Sequence, residues 1–361
     1  MRDLTRLRQE AMRLRDGFAA RGALPVDCDI LLSAETLLDL YGEDIRARAY
    51  VTQDPARGEM MLRPDFTVPV VQMHMSAGAE PARYTYAGEV FRRQEHDPRR
   101  ASEYLQVGFE VFDRTDPAAA DAEVFSLFQE TLSGHAVEAV TGDIGILTAV
   151  VQGLEASEAR RAALMRHIWH PRRFRNLLDR FSGKLPVPAG RAALLAHDDP
   201  MSQAGPMIGL RSAAEIEARI EALRVDAAEG PLPMSQVAVI DAVLAVRETC
   251  PNALERLRDI AVDLPGLVPV LDRFEARCAA LLRKGVAVEA LAFEASYGRT
   301  SMEYYDGFVF GFVAPARPDL PPVATGGRYD ALTRRLGQGA EIPAVGGVIR
   351  PDVLLALEAG A

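Results

Sequence analysis

Residues 84–112 read YTYAGEVFRRQEHDPRRASEYLQVGFEVF, and this stretch decides the fold. Both ends are rich in aromatic and β-branched residues, which favour extended chain. They predict strands over 83–93 and 104–113. The intervening QEHDPRRASE is polar apart from Ala101 and carries Pro98, so the strands form an antiparallel hairpin with a long loop. Successive side chains of a strand face opposite ways. Leu105, Val107, Phe109 and Val111 share one face and can enter a core. Tyr104, Gln106, Gly108, Glu110 and Phe112 share the other. On that second face Gln106 and Glu110 stand about 13 Å apart at Cα, at about 3.3 Å per residue. Gly108 between them predicts a gap in the floor. A small ligand bearing an ammonium would suit it, with charge from Glu110 and a carbonyl oxygen from Gln106. The pattern also fits an open sheet face carrying ordinary polar residues.

Upstream, LRPDFTVPV at 62–70 lies between strand and helix signals, with two prolines fixing the turn. Asp65 and Thr67 could hold an ammonium, or could cap the start of a helix over 66–77. Arg92 and Arg93 end the first strand, and Arg99 and Arg100 follow in the loop. Arginines there suit phosphate, or form a solvated charged loop.

Further out, residues 1–22 predict an amphipathic helix with Leu4, Leu7, Met12 and Leu14 on its apolar side. A second helix is expected over 35–47, and extended runs over 48–52 and 59–63 around the turn DPARG. Helices are expected over 119–133 and 145–154. From about 155 to 285 apolar residues recur at three- and four-residue steps, which predicts helix almost throughout. Strand character returns at 289–297, 304–314 and 321–325. The end reads as a Gly-rich turn, a helix over 329–336, a strand over 344–349 and a helix over 352–358. The expected class is α+β, an antiparallel sheet with flanking helices. Its core is discontinuous, 1–154 with 286–361, and 155–285 forms a mainly helical insertion.

The 361 residues are 48% hydrophobic and 25% charged, with a formal net charge of −10. An acidic chain gains no long-range attraction to nucleic acid, so no nucleic-acid partner is expected. The basic run RRAALMRHIWHPRRFR at 160–175 is the exception; it suits a helix with a solvated basic side, or a tRNA-binding surface. Cys28, Cys250 and Cys278 are too scattered for a disulfide framework or a CxxC metal site. The six histidines show no HxxxH spacing, so no metal site is expected. No run approaches the roughly 20 apolar residues that span a bilayer. No signal peptide is evident, so no membrane association and a cytoplasmic location are expected.

Together these segments resemble the class II aminoacyl-tRNA synthetases, and within them histidyl-tRNA synthetase and its regulatory paralogues. LRPDFTVPV resembles the family's LRPEGT segment, and residues 84–112 resemble its second motif, an arginine-bearing strand followed by QxGxExF. EYYDGFVFGF at 303–312 resembles RGxDYYxGxxFE, and TGGRYDALTRRLG at 325–337 resembles the turn before the third motif. The resemblance covers about 1–115 and 290–358. It implies a dimer through the first-motif region, with Asp65, Thr67, Gln106, Glu110, Tyr304 and Tyr305 around a histidine. It puts Arg92 where the enzymes hold the ATP α-phosphate.

The third motif departs from the enzymes' GxxxGxER. AVGGVIRPDVLLAL at 344–357 puts Arg350 at the second glycine and Val353 at the arginine. Val353 cannot neutralise a triphosphate. The arginine expected four residues before Tyr304 is also displaced: Thr300 stands there, with Arg299 one position earlier. The chain ends at Ala361, where the enzymes continue into an anticodon-binding domain, so none is expected. These features resemble the regulatory subunits of ATP phosphoribosyltransferase, the first enzyme of histidine biosynthesis. The resemblance implies a non-catalytic chain without cofactor, partnered by the short-form catalytic subunit, with histidine as effector. It implies self-association as a dimer within a hetero-oligomer, a hetero-octamer in the family. The alternative is a truncated histidyl-tRNA-synthetase-like enzyme that forms an aminoacyl adenylate.

Overall fold

The computed structural model describes residues 3–41, 45–94, 101–299 and 303–359. Its strands are β1 (Leu24–Pro25), β2 (Leu31–Ser33), β3 (Val51–Asp54), β4 (Gly58–Leu62), β5 (Ala82–Phe91), β6 (Glu103–Phe112), β7 (Glu138–Asp143), β8 (Arg247–Thr249), β9 (Ala292–Glu294), β10 (Phe308–Val313), β11 (Ala324–Arg328) and β12 (Ala344–Ile349). Among the described residues nine strands form one sheet in the order β1-β5-β6-β12-β11-β10-β7-β9-β8, and β2-β4-β3 form a second. The hairpin expected from residues 84–112 is β5 and β6, antiparallel over ten rungs. Its loop, with Arg99 and Arg100, lies outside the described residues, as does Thr300. The expected antiparallel pattern holds through the middle of the large sheet, but β1 pairs with β5, and β7 with β9, in parallel.

Core formation follows the strand alternation. Val107, Phe109 and Val111 are buried, and Phe109 meets Phe18 with ring centroids 5.6 Å apart. Phe18 belongs to the first helix, Leu4–Ala19, which Asp3 caps by accepting from the backbone N–H groups of Thr5 and Arg6. That helix buries Leu7, Ala11, Leu14 and Phe18, spaced by four, three and four residues. Leu4 and Met12, expected on the apolar side, face outward instead. The helix Pro117–Thr131 covers the adjoining strands, its Phe125 and Phe128 packing against Phe310.

Four strands were not expected from the sequence, β1, β2, β7 and β8, and β8 lies inside the stretch expected to be helical, where it pairs with β9 at the sheet edge. The helix Val268–Arg283 runs alongside Pro117–Thr131, and Arg277 fixes its place. Its Nη2 stands 2.9 Å from Asp143 and its Nη1 3.6 Å from Asp121, with all three side chains buried. Asp121 also receives Arg328 at 2.7 Å. The basic run at 160–175 is less solvated than expected: Arg160 is buried and its Nε stands 2.7 Å from Asp226. Among the described residues no helix is long and apolar enough to cross a membrane.

Candidate functional site

Glu110 sits near the middle of the large sheet, 1% exposed. Its register partners are Tyr84 on β5 and Gly346 on β12. Gly346 is needed there, because a Cβ would stand 1.5 Å from Glu110 Oε2. Three hydroxyls donate to the carboxylate: Thr67 at 3.0 Å and Tyr86 at 2.8 Å to Oε1, and Tyr329 at 2.6 Å to Oε2. Burial nevertheless pushes the Glu110 carboxyl up to about 7, with Asp65 adding to the rise and the three hydroxyls opposing it. The phenols of Tyr86 and Tyr329 are raised in turn, by burial first and by Glu110 second.

The gap expected above Gly108 is filled. A Cβ at Gly108 would stand 2.1 Å from Cζ of Tyr86, so the glycine admits that ring rather than leaving space for a ligand. Tyr86 is held flat against Phe66, ring centroids 4.3 Å apart and planes within 10°. The segment before the helix Thr67–Ala77 is fixed by Arg63, which donates from Nε to the Glu89 carbonyl at 2.8 Å and lies over the Phe66 ring. Asp65 accepts from the backbone N–H of Val68 at 3.3 Å, so it supports the helix start while its buried charge stays close to Glu110. Thr67 is left to donate to Glu110.

Gln106 lies two same-face steps along β6 from Glu110 and is 1% exposed. Its Oε1 has no hydrogen-bond partner among the described residues. Such a buried acceptor costs free energy until a donor reaches it. Tyr305 is buried, and its phenol is raised by burial first and by Glu110 and Asp65 next, with Arg92 and Arg350 opposing. Acidic and basic groups therefore both act on it. Tyr304 is half-buried and meets Tyr305 and Tyr329 edge-on, with centroids 5.1 and 6.1 Å away. Arg92 follows β5 and donates from Nε to the Pro64 carbonyl at 2.7 Å.

The structure thus gathers Asp65, Thr67, Glu110, Tyr304 and Tyr305 at one place, with Gln106 on the same sheet face. Sequence reading missed Tyr86 and Tyr329. Tyr86 carried a usable signal, since hairpin register sets it opposite Gly108. Tyr329 did not, because its contact spans a chain separation of 219 residues. Arg299 is buried against the 160–175 segment, donating from Nε to the Ile168 carbonyl at 2.8 Å, with its guanidinium 4.8 Å from the Phe174 ring centroid. Burial holds it down to about 10. Val353 is buried in the last helix, Pro351–Glu358. Among the described residues no group of three or more His, Cys, Asp or Glu could hold a metal ion.

Comparison with known proteins gives the family of this chain. The histidyl-tRNA synthetase family model matches residues 2–196 and 211–354. An ATP phosphoribosyltransferase regulatory subunit from Brucella anthropi is 33% identical over 354 residues, covering 92% of this chain and 93% of the relative. Its counterpart from Agrobacterium fabrum is 34% identical over 357 residues, covering 93% of each. The chain belongs to the family of ATP phosphoribosyltransferase regulatory subunits. Within that family it is a regulatory chain, non-catalytic despite its synthetase-like fold. A solved ATP phosphoribosyltransferase regulatory subunit/histidyl-tRNA synthetase from Bacillus halodurans shares the fold, with a TM-score of 0.69 at 20% identity, covering 99% of this chain and 81% of that one. A histidine–tRNA ligase subunit from Alicyclobacillus acidocaldarius does so with a TM-score of 0.62 at 23% identity, covering 100% and 96%.

Proposed function

We propose that this chain is the regulatory subunit of a cytoplasmic ATP phosphoribosyltransferase, required by a short-form catalytic subunit for the first step of histidine biosynthesis. It would dimerise within a hetero-octamer, and the pocket around Glu110 would bind histidine as the feedback effector. Residues Asp65, Thr67, Gln106, Glu110, Tyr304 and Tyr305 would hold the amino acid, and Arg92 would be a relic of the nucleotide site. The division into a core of 1–154 and 286–361 and an insertion of 155–285 belongs to the same proposal.

One observation carries the reading. Glu110 is kept near neutrality under three hydroxyls, whereas the position of the third-motif arginine is a buried valine, Val353. A carboxyl near 7 suits a donor that itself titrates near neutrality, and an unperturbed imidazole titrates near 6.5. Losing a charge contact to a transition state commonly costs about 10²–10³ in rate. Amino-acid recognition is therefore retained while adenylation is not. Feedback through this pocket requires histidine to bind the inhibited and active assemblies with different affinities.

The test is ATP–pyrophosphate exchange with histidine, run beside calorimetry of histidine binding. Binding with exchange at background supports the reading. Histidine-dependent exchange well above background would instead favour the adenylate-forming enzyme.

A further inference from the structure

Strand register carries the row of side chains containing Glu110 to one more charged group. β12 pairs with β6 through Gly346↔Glu110, Val348↔Gly108 and Ile349↔Val107. Directly opposed residues of an antiparallel pair face the same side. Arg350 follows β12 and remains extended (φ −103°, ψ 100°), so continuing the register sets it on the Glu110 face, in line with Gln106. Its backbone N–H donates to the Val323 carbonyl at 2.8 Å, and its Nη1 donates to the Pro322 carbonyl at 2.6 Å. The side chain is thereby anchored at one nitrogen and only partly exposed.

The groups around it are unlike in sign: Glu110 and Asp65 raise the Tyr305 phenol, and Arg92 and Arg350 lower it. Burial holds the Arg350 guanidinium below its ordinary value, and Arg92 lowers it further, while Tyr104, Asp352 and Tyr305 act the other way. A buried guanidinium that also feels a second cation favours an anionic partner. On the same face, the buried Oε1 of Gln106 lacks a donor among the described residues. A ligand that satisfies both must present an N–H group and an anionic group a few ångströms apart. A free amino acid does so, and an esterified or reduced one lacks the anion.

We propose that Arg350 makes this pocket selective for a free α-carboxylate, holding it while Gln106 accepts from the neighbouring amino group. This rests on the amino-acid reading of the pocket and deepens it. The residue at the second glycine of the third motif then has a role of its own, as the anchor for a carboxylate that is never activated.

The full chain is titrated by calorimetry at pH 7.5 with L-histidine and with L-histidinol, which replaces the carboxylate by a hydroxymethyl group. A charge-assisted contact of this kind predicts binding of L-histidine at least about 30-fold tighter than L-histidinol. Arg350→Gln should cut that ratio to about 3 or less by weakening L-histidine alone, and Arg350→Lys should restore part of it. The wild-type ratio needs no variant, so a folding defect leaves the test decisive. A wild-type ratio near unity overturns the role of Arg350 and leaves the amino-acid pocket standing, and so does an equal loss of both ligands in a folded Arg350→Gln. Failure of wild type to bind either ligand overturns both.

Discussion

Tyr329 donates its hydroxyl to Glu110 Oε2 at 2.6 Å, joining the turn before the third motif to the centre of the sheet. The bond matters because burial already pushes Glu110 up to about 7. A ligand N–H that bonds the carboxylate favours its ionised form. Binding below about pH 7 must then release a proton, and affinity should fall as pH falls through that value, by up to about tenfold per unit. Tyr329→Phe removes a donor that lowers Glu110, so the inflection should move to higher pH. Histidine affinity measured from pH 6.5 to 8.5 checks this. An inflection that stays in place or moves down contradicts the role given to Tyr329.

Glu110 also sets a sign for stability. Its folded value lies above the usual carboxylate value of 4.5. Its contribution is thus fully present below the unfolded value and is lost as pH rises through about 7. Glu110→Gln should flatten the fall in unfolding midpoint between pH 5 and 8, as read by thermal melts. An unaltered slope would show that Glu110 does not titrate there.

Arg277 is the buried cation between Asp121 and Asp143. Arg277→Ala leaves buried carboxylates short of a partner, and should lower the unfolding free energy by about 3–5 kcal/mol. Arg258, whose partners Asp272 and Glu275 are exposed, offers a comparison. Arg258→Ala should cost about 0–1 kcal/mol. Denaturant unfolding of both variants checks the contrast, and equal losses would contradict it.

Arg299 pins the Ile168 carbonyl and lies over Phe174. Arg299→Ala should lower stability by about 1–3 kcal/mol through the orphaned carbonyl and the lost packing. Histidine affinity should stay within about twofold, since the pocket's own contacts are untouched. A folded variant that loses histidine binding would return Arg299 to the site.

The parts of the fold that could be read in advance are those written in local chemistry. Alternation with aromatic and β-branched residues gave β5, β6 and β12 to within about two residues, and the DPARG turn gave the β3–β4 hairpin. β11 was obscured because Gly326 and Gly327 look like a turn. They are strand residues whose missing side chains leave room for Phe310 and Tyr305. At the site, Asp65, Thr67, Gln106 and Glu110 lie on two neighbouring segments and were legible. The filling of the Gly108 position by Tyr86, and the approach of Tyr329, depend on cross-strand and long-range packing that local patterns do not encode. Arg350 could be read as the residue at the second glycine of the third motif, but its place on the Glu110 face needed the register of β12 on β6.

The most direct measurement mixes the full chain with a short-form catalytic ATP phosphoribosyltransferase subunit and follows the transferase rate, with and without histidine. The expected result is a co-eluting complex in which this chain raises the rate and histidine lowers it again. A rate unaffected by the chain, with the two proteins eluting apart, would contradict the regulatory role.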